Sequence, residues 1–445
     1  MDEIAAITPI LDSGVLPPPR PKKRMLGLII GFGVGILFAA AIENAATKSQ
    51  SGLALLFYFP IIALVVTLHE SGHLAAGWLV GFHFSSISLG PFSLKIEYGR
   101  FEVRFRNDLG ALGYAGMYIE TVRRVRRNLL IFVAAGPATN LVSGAIAALF
   151  VQLASPRLRA TWGVPFAAGF SVMSFAIAVL SLIPYGATLR SDGAHIWMLL
   201  KSREGARRWI ASCALLSQQR KGIRSRNWKE TWLKAACAVR DGKSDELHGN
   251  LLAYIAAADR KEVVLAAMHL ERCLELARSQ HPMQRNFLAR EAAYFCAWFR
   301  SNASVAESWL SQVEGPDHAT QLTLIRMSIA LDCACHNFEN AIAGWQKGAE
   351  FNRTVARHQH ETAATRLVAR VERGNPTKTS LEGDCVGYVA QSKAVSFWLT
   401  AKTLPSFARQ AGRSARPTTS KLIRIQQHAF GFFGVDWAVE QFVVF

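Results

Sequence analysis

The stretch that decides the fold is LALLFYFPIIALVVTLHESGHLAAGWLVGF, Leu53 to Phe82. A bilayer crossing takes about 20 apolar residues, and this run is long enough. Yet it carries His69, Glu70 and His73, and no other charge. On a helix, residues four apart share a face and lie about 6 Å apart along the axis. His69 and His73 can therefore share one metal ion, with Glu70 placed to act on a bound water. A charge in mid-span costs at least about 2.5–3.5 kcal/mol on insertion scales. Incurring that cost only within a metal-binding pattern points to function. From Leu53 to His69 is about 24 Å of helix, so the motif lies past the midplane. Pro60 is expected to kink the helix upstream of it.

Working outward, three more runs approach spanning length: Leu26–Ala41, Asn128–Ala154 and Val164–Leu189. Polar and proline-rich sequence precedes the first, which favours an uncleaved anchor over a signal peptide. The loops alternate in basic residues. RPKKR precedes the first run and RRVRR ends the 82–127 loop, whereas the loops at 44–52 and 155–163 are nearly free of Lys and Arg. By the positive-inside rule both termini and the 82–127 loop face the cytosol. The net charge of +18 is read as a match to an anionic membrane surface, because basic residues flank apolar runs. No zinc knuckle or RNA-recognition signature argues for nucleic acid. The seven cysteines all lie at or after residue 213, an odd number in no dense module, so reduced cytosolic thiols are expected.

A zinc hydrolase needs a third protein ligand and one open position. A soluble metzincin would place a third histidine where this chain has Leu79 and a glycine where it has Ala76, so that class is excluded. His83, His195 and Asp192 remain as candidates. Asp192 stands out, because it follows the fourth run in LIPYGATLRSDGAHI, at a depth matching His69 and His73. Gly193 beside it permits close backbone approach.

With these pieces in place, residues 53–200 resemble the site-2 protease family of intramembrane zinc metalloproteases. HESGHLAAGWLVGF resembles the family's zinc motif, with Gly81 near the helix end. SSISLGPFSLKIEYGRFEVRF, Ser85–Phe105, is similar to the family's Gly-Pro β-hairpin, with Gly90 and Pro91 as candidate substrate-binding positions. AAGPATNLVSG resembles the opening of its third core helix, with Gly136, Pro137 and Asn140. LIPYGATLRSDGAHI resembles the element giving the third ligand. One position departs: Ser181 stands where the family usually has Asn. The resemblance implies a Zn²⁺ enzyme that cleaves transmembrane segments of membrane proteins, with His69, His73 and Asp192 as ligands. Zinc would lower the pKa of a water, Glu70 would act as general base, and Asn140 would hydrogen-bond the oxyanion or the substrate backbone. The strands after the zinc helix could hold an unwound substrate by strand addition.

After about Lys201 the sequence changes character. Segments such as EVVLAAMHLERCLELA show apolar spacings of three and four, and Trp309 and Trp345 lie 36 residues apart. That is near the 34-residue tetratricopeptide period. The expected architecture is mostly α: a polytopic membrane bundle of about four spans with a small membrane-associated β-hairpin, then a cytosolic TPR-like helical domain. Its divisions are a cytosolic tail 1–24, a membrane metalloprotease domain 25–201, a helical domain 202–375 and a basic, apolar extension 376–445. The expected setting is a bacterial cell (inner) membrane, with the lipid bilayer and transmembrane substrates as partners and a protein partner on the helical domain. A catalytically silent membrane scaffold is the alternative.

Overall fold

The structure, a computed structural model, describes residues 8–19, a few positions between 33 and 44, 56–97, 100–105, 113–119, 123–184, 190–314 except 222 and 281, and 321–351. The expected extension 376–445 lies outside the described residues, as does most of the first apolar run. The chain divides into two units. One gathers Met1–Pro19, Glu97–Arg100 and Ala211–Val443; the other gathers Arg20–Ile96, Phe101–Ile210 and Val444–Phe445. The protein is mostly helical with one small antiparallel sheet.

Among the described residues of the second unit, three helices are long and apolar enough to cross a membrane: Tyr58–Leu79, Val125–Leu153 and Gly163–Leu182. Call the short helix Pro9–Ser13 α1; these three are then α2, α3 and α5, with the single turn Pro156–Arg159 as α4. Pro60 does not kink α2. It sits in the first turn of a helix that begins at Tyr58, where a missing N–H leaves no bond unmade. Phe57 meets Trp162 and Phe166 edge-on at 5.5 and 5.6 Å, so α2 and α5 start side by side and run the same way. The helices touch through small residues. A Cβ on Gly72 would collide with Thr139 and the Ala135 carbonyl, and Ser171 Oγ donates to the Gly144 carbonyl at 2.9 Å. Without a hydrophobic driving force between helices in lipid, such close backbone approach supplies the packing. Phe59, Ile146 and Val179 point outward, as lipid-facing residues must.

The expected hairpin is part of a four-stranded sheet: β1 (Phe82–Leu89), β2 (Phe92–Glu97), β3 (Arg100–Phe105) and β4 (Gly113–Ile119), in the order β3-β2-β1-β4. Leu89 pairs with Phe92 around a turn in which Gly90 has φ +56°. β1 pairs with β4 from Phe82↔Ile119 to Leu89↔Gly113, with an irregularity between Phe84 and Ser86. Phe101, Val103 and Phe105 alternate along β3 and are exposed, an apolar surface suited to a membrane interface.

The other unit holds helices with core-facing stripes: α8 (Glu230–Cys237), α9 (Ser244–Arg260), α10 (Val263–Leu276), α11 (Pro282–Arg300), α12 (Ala303–Leu310), α13 (Gln321–Ala334) and a further helix at 338–351. Before them, α6 (Asp192–Lys201) and α7 (Arg203–Arg220) follow the last apolar helix, and the division between units falls within α7. Trp309 is fully buried and Trp345 nearly so, each on the second helix of its pair. A polar cluster lies in this core: Glu291 accepts from Arg326 and from the Tyr254 hydroxyl, each at 3.0 Å. Arg326 also lies over the Tyr294 ring at 3.6 Å. Among the described residues six cysteines are free, and burial pushes the thiols of Cys213, Cys237 and Cys296 up to about 12, as expected of inert core thiols. Part of the expected cytosolic tail, residues 8–19, belongs to this unit: Leu11 is fully buried in its core.

Candidate metal centre

The helical period of α2 puts His69 and His73 on one buried face, their rings 4.9 Å apart and edge-on. Asp192 arrives from the start of α6, and its placement is tightly determined. Ser191 caps α6, accepting from the Ala194 N–H at 3.2 Å, and its hydroxyl donates to the Ile183 carbonyl at the end of α5 at 2.6 Å. Gly193 lies so close to the Leu182 backbone that any Cβ there would overlap it. At the far end of α6, the Arg126 guanidinium donates to the Leu199 carbonyl at 2.7 Å, a cation at a helix C-terminus.

The result is a three-donor cluster. His69 Nε2 lies 3.0 Å from Asp192 Oδ2 and His73 Nε2 3.5 Å from Asp192 Oδ1. All three ligand atoms fall within 4.8 Å of one another. A tetrahedral metal with bonds of about 2.0–2.1 Å has donor–donor edges of roughly 3.3–3.4 Å. The spacing fits such an ion, and no other such group is found among the described residues.

The outer contacts fix which nitrogen of each imidazole is left to face the cluster. His73 Nδ1 lies 2.8 Å from the Phe132 carbonyl, which can only accept, so Nδ1 carries the proton and Nε2 is left as the donor atom. His69 Nδ1 lies 3.1 Å from the side-chain amide of Asn140, whose Oδ1 has no hydrogen-bond partner among the described residues. Turning the amide over sets Oδ1 against Nδ1–H, pairing that oxygen and giving His69 the same tautomer as His73. Below the two rings, α3 comes close at Gly136, where a Cβ would fall against both Nε2 atoms. Glu70 is buried beside the cluster, and among the described residues no hydrogen bond holds its carboxylate. Gly113, the first residue of β4, lies against it, and Met117 further along β4 lies against Gly77 of α2.

Other expected residues fall elsewhere. His83 stacks on Tyr118 across the sheet and His195 on Trp209, so neither joins the cluster. Gly90 and Pro91 form the β1–β2 turn. Ser181 donates to the Ala178 carbonyl of its own helix at 3.0 Å. Asn140 is fully buried against His69, a ligand-orienting place. Two residues escaped the sequence reading. Phe132 acts through its backbone, which leaves no side-chain signal. Gly113 sits in GYAGMYI, whose small residues mark a strand in close contact with another element. Comparison with family models, with curated proteins and with solved structures returns no match.

Proposed function

We propose that this chain is an intramembrane zinc endopeptidase of the site-2 protease kind, cleaving transmembrane segments of other membrane proteins. The observation that carries the reading is the convergence of His69 Nε2, His73 Nε2 and the Asp192 carboxylate, beside Glu70, within apolar helices. Two imidazoles and a carboxylate suit zinc and leave a fourth position open. A bound zinc ion supplies Lewis acidity, lowering the pKa of water and polarising a peptide carbonyl. Glu70 takes the proton from the attacking water and passes it to the leaving amine. Phe132 and Asn140 hold the imidazoles in the tautomer that binds metal. A transmembrane helix hides its peptide bonds in i to i−4 bonds, so the substrate is cut where it unwinds. β4, the terminal strand of the sheet, starts at Glu70, and an extended substrate lying along it reaches the base directly. A silent scaffold would use the helical domain equally well, but gives no reason for the ligand atoms to converge.

The fold also supports four crossings. Residues 8–19 pack in one unit with the helices after 211, so both lie on one side of the membrane. An even number of crossings must separate them. The described helices supply three, and the Leu26–Ala41 run, expected from its sequence alone to span, would be the fourth. The basic loops place that shared side in the cytosol. The helical unit, with its paired helices and buried Trp309 and Trp345, reads as a TPR-like array. The deciding experiment is zinc analysis of purified protein beside Asp192→Ala. Stoichiometric zinc in the wild type and its loss in the variant are expected; a metal-free wild type that still cleaves would end the proposal.

A further inference from the structure

The segment Thr8–Leu16 is bound to the helical unit as a peptide is bound to a receptor. Leu11 is fully buried. The Ile10 and Leu11 amides donate to the two oxygens of the Glu271 carboxylate at 2.7 and 2.8 Å. The Trp309 indole donates to the Leu11 carbonyl at 3.0 Å. Arg300 pairs with Asp12 and donates to Thr8 Oγ1 at 2.7 Å. Ser308 donates to the Gly14 carbonyl at 3.1 Å, and Gln312 Oε1 accepts from the Leu16 amide at 2.6 Å. These groups come from α10, α11, α12 and the residues just after it, so several elements converge on one short stretch.

The site is built for an occupant. Glu271 is nearly buried, and among the described residues the two amides are its hydrogen-bond partners. With the segment gone, a buried carboxylate, the Trp309 indole and the Leu11 pocket would all lose their partners at once. A surface that a tail merely brushed would not be organised this way. The occupant itself is small: one five-residue helix, with Val15 beyond it 57% exposed. Such a ligand is weak when free, and its tether holds it at an effective concentration of the order of millimolar.

We propose that the helical domain is a peptide receptor which residues 8–16 occupy in cis, and that a cytosolic protein presenting a short leucine–aspartate turn takes the site by displacing them. Recognition reads two free amides ahead of a buried aliphatic side chain, followed by a carboxylate for Arg300. The reading does not depend on the chemistry of the metal centre.

The test uses full-length protein in detergent and a fluorescein-labelled synthetic peptide of residues 6–18, followed by anisotropy. Leu11→Asp in the protein ejects the tethered segment. That variant should bind the peptide at least tenfold more tightly than the wild type, whose site is filled. A peptide carrying Leu11→Asp should bind neither, and adding Trp309→Phe to the variant should weaken binding. Equal binding to wild type and variant, or equal binding of the two peptides, overturns the proposal. Should Leu11→Asp disturb folding, Asp12→Ala removes the Arg300 pair and the bond that Asp12 accepts from the Thr8 hydroxyl, and leaves Leu11 seated. It should give peptide affinity above that of the wild type, and peptide affinity no higher than that of the wild type overturns the proposal as well.

Discussion

A Cβ on Gly136 would overlap Nε2 of His73, so the floor of the metal cluster is bare backbone of α3. Gly136→Ala should leave the fold intact, because alanine favours a helix more than glycine does. It should push the imidazoles off their positions and weaken metal binding by about 10–100-fold, the range seen when ligand-orienting contacts are lost. Competition with a chelator of known affinity measures this. Unchanged affinity would mean the rings can shift without cost.

Glu70 is assigned to proton transfer and not to the metal. Glu70→Gln should retain zinc at wild-type stoichiometry while cleavage of a co-expressed substrate falls by at least about 10²–10⁴-fold. Loss of zinc in this variant would instead make Glu70 a ligand.

The Gly193 contact with the Leu182 backbone allows no side chain. Gly193→Val should drive Asp192 away from the histidines and lower zinc content, with the helical unit still folded by circular dichroism. Full zinc occupancy would show that α6 is free to slide.

Topology can be read by thiol labelling in intact cells, in a background where the exposed Cys335 is Ser. Cysteines placed at Ser51 and Thr161 should react with an impermeant reagent. Cysteines at Val15, Arg106 and Lys229 should not, and Val15 and Lys229 must behave alike because both belong to one unit. Opposite labelling of those two would break the even-crossing argument.

In the helical unit, Arg326→Met strands the buried Glu291 carboxylate and should destabilise that unit by about 3–5 kcal/mol. Replacing Glu291 by Leu as well should recover most of the loss. Thermal melts of the single and double variants decide this, and a double variant no better than the single would show that the pair is specifically required.

Much of the centre was legible because the helix repeat places His69, Glu70 and His73 without help from the rest of the fold. Asp192 was legible through depth: two helices running the same way end at the same level. Asn140 was visible as a residue but not in its place, since whether an amide faces substrate or an imidazole depends on packing between α2 and α3. β4 was missed because GYAGMYI lacks alternation; glycine and alanine serve its approach to α2. The docking of Leu11 was hidden for another reason. Its partners lie 260 to 298 residues away, and no local pattern encodes such a pairing.

That separation has a consequence for how the protein is made. Trp309 follows Leu11 by 298 positions and leaves the ribosome that much later. At about 5–20 residues per second, the segment waits roughly 15 to 60 s for its pocket. During that interval the apolar helices Tyr58–Leu79, Val125–Leu153 and Gly163–Leu182 are made. Until Trp309 follows, the Leu11 carbonyl lacks its donor, so the pocket of the helical unit and the segment that fills it meet only after the intervening helices have been synthesised.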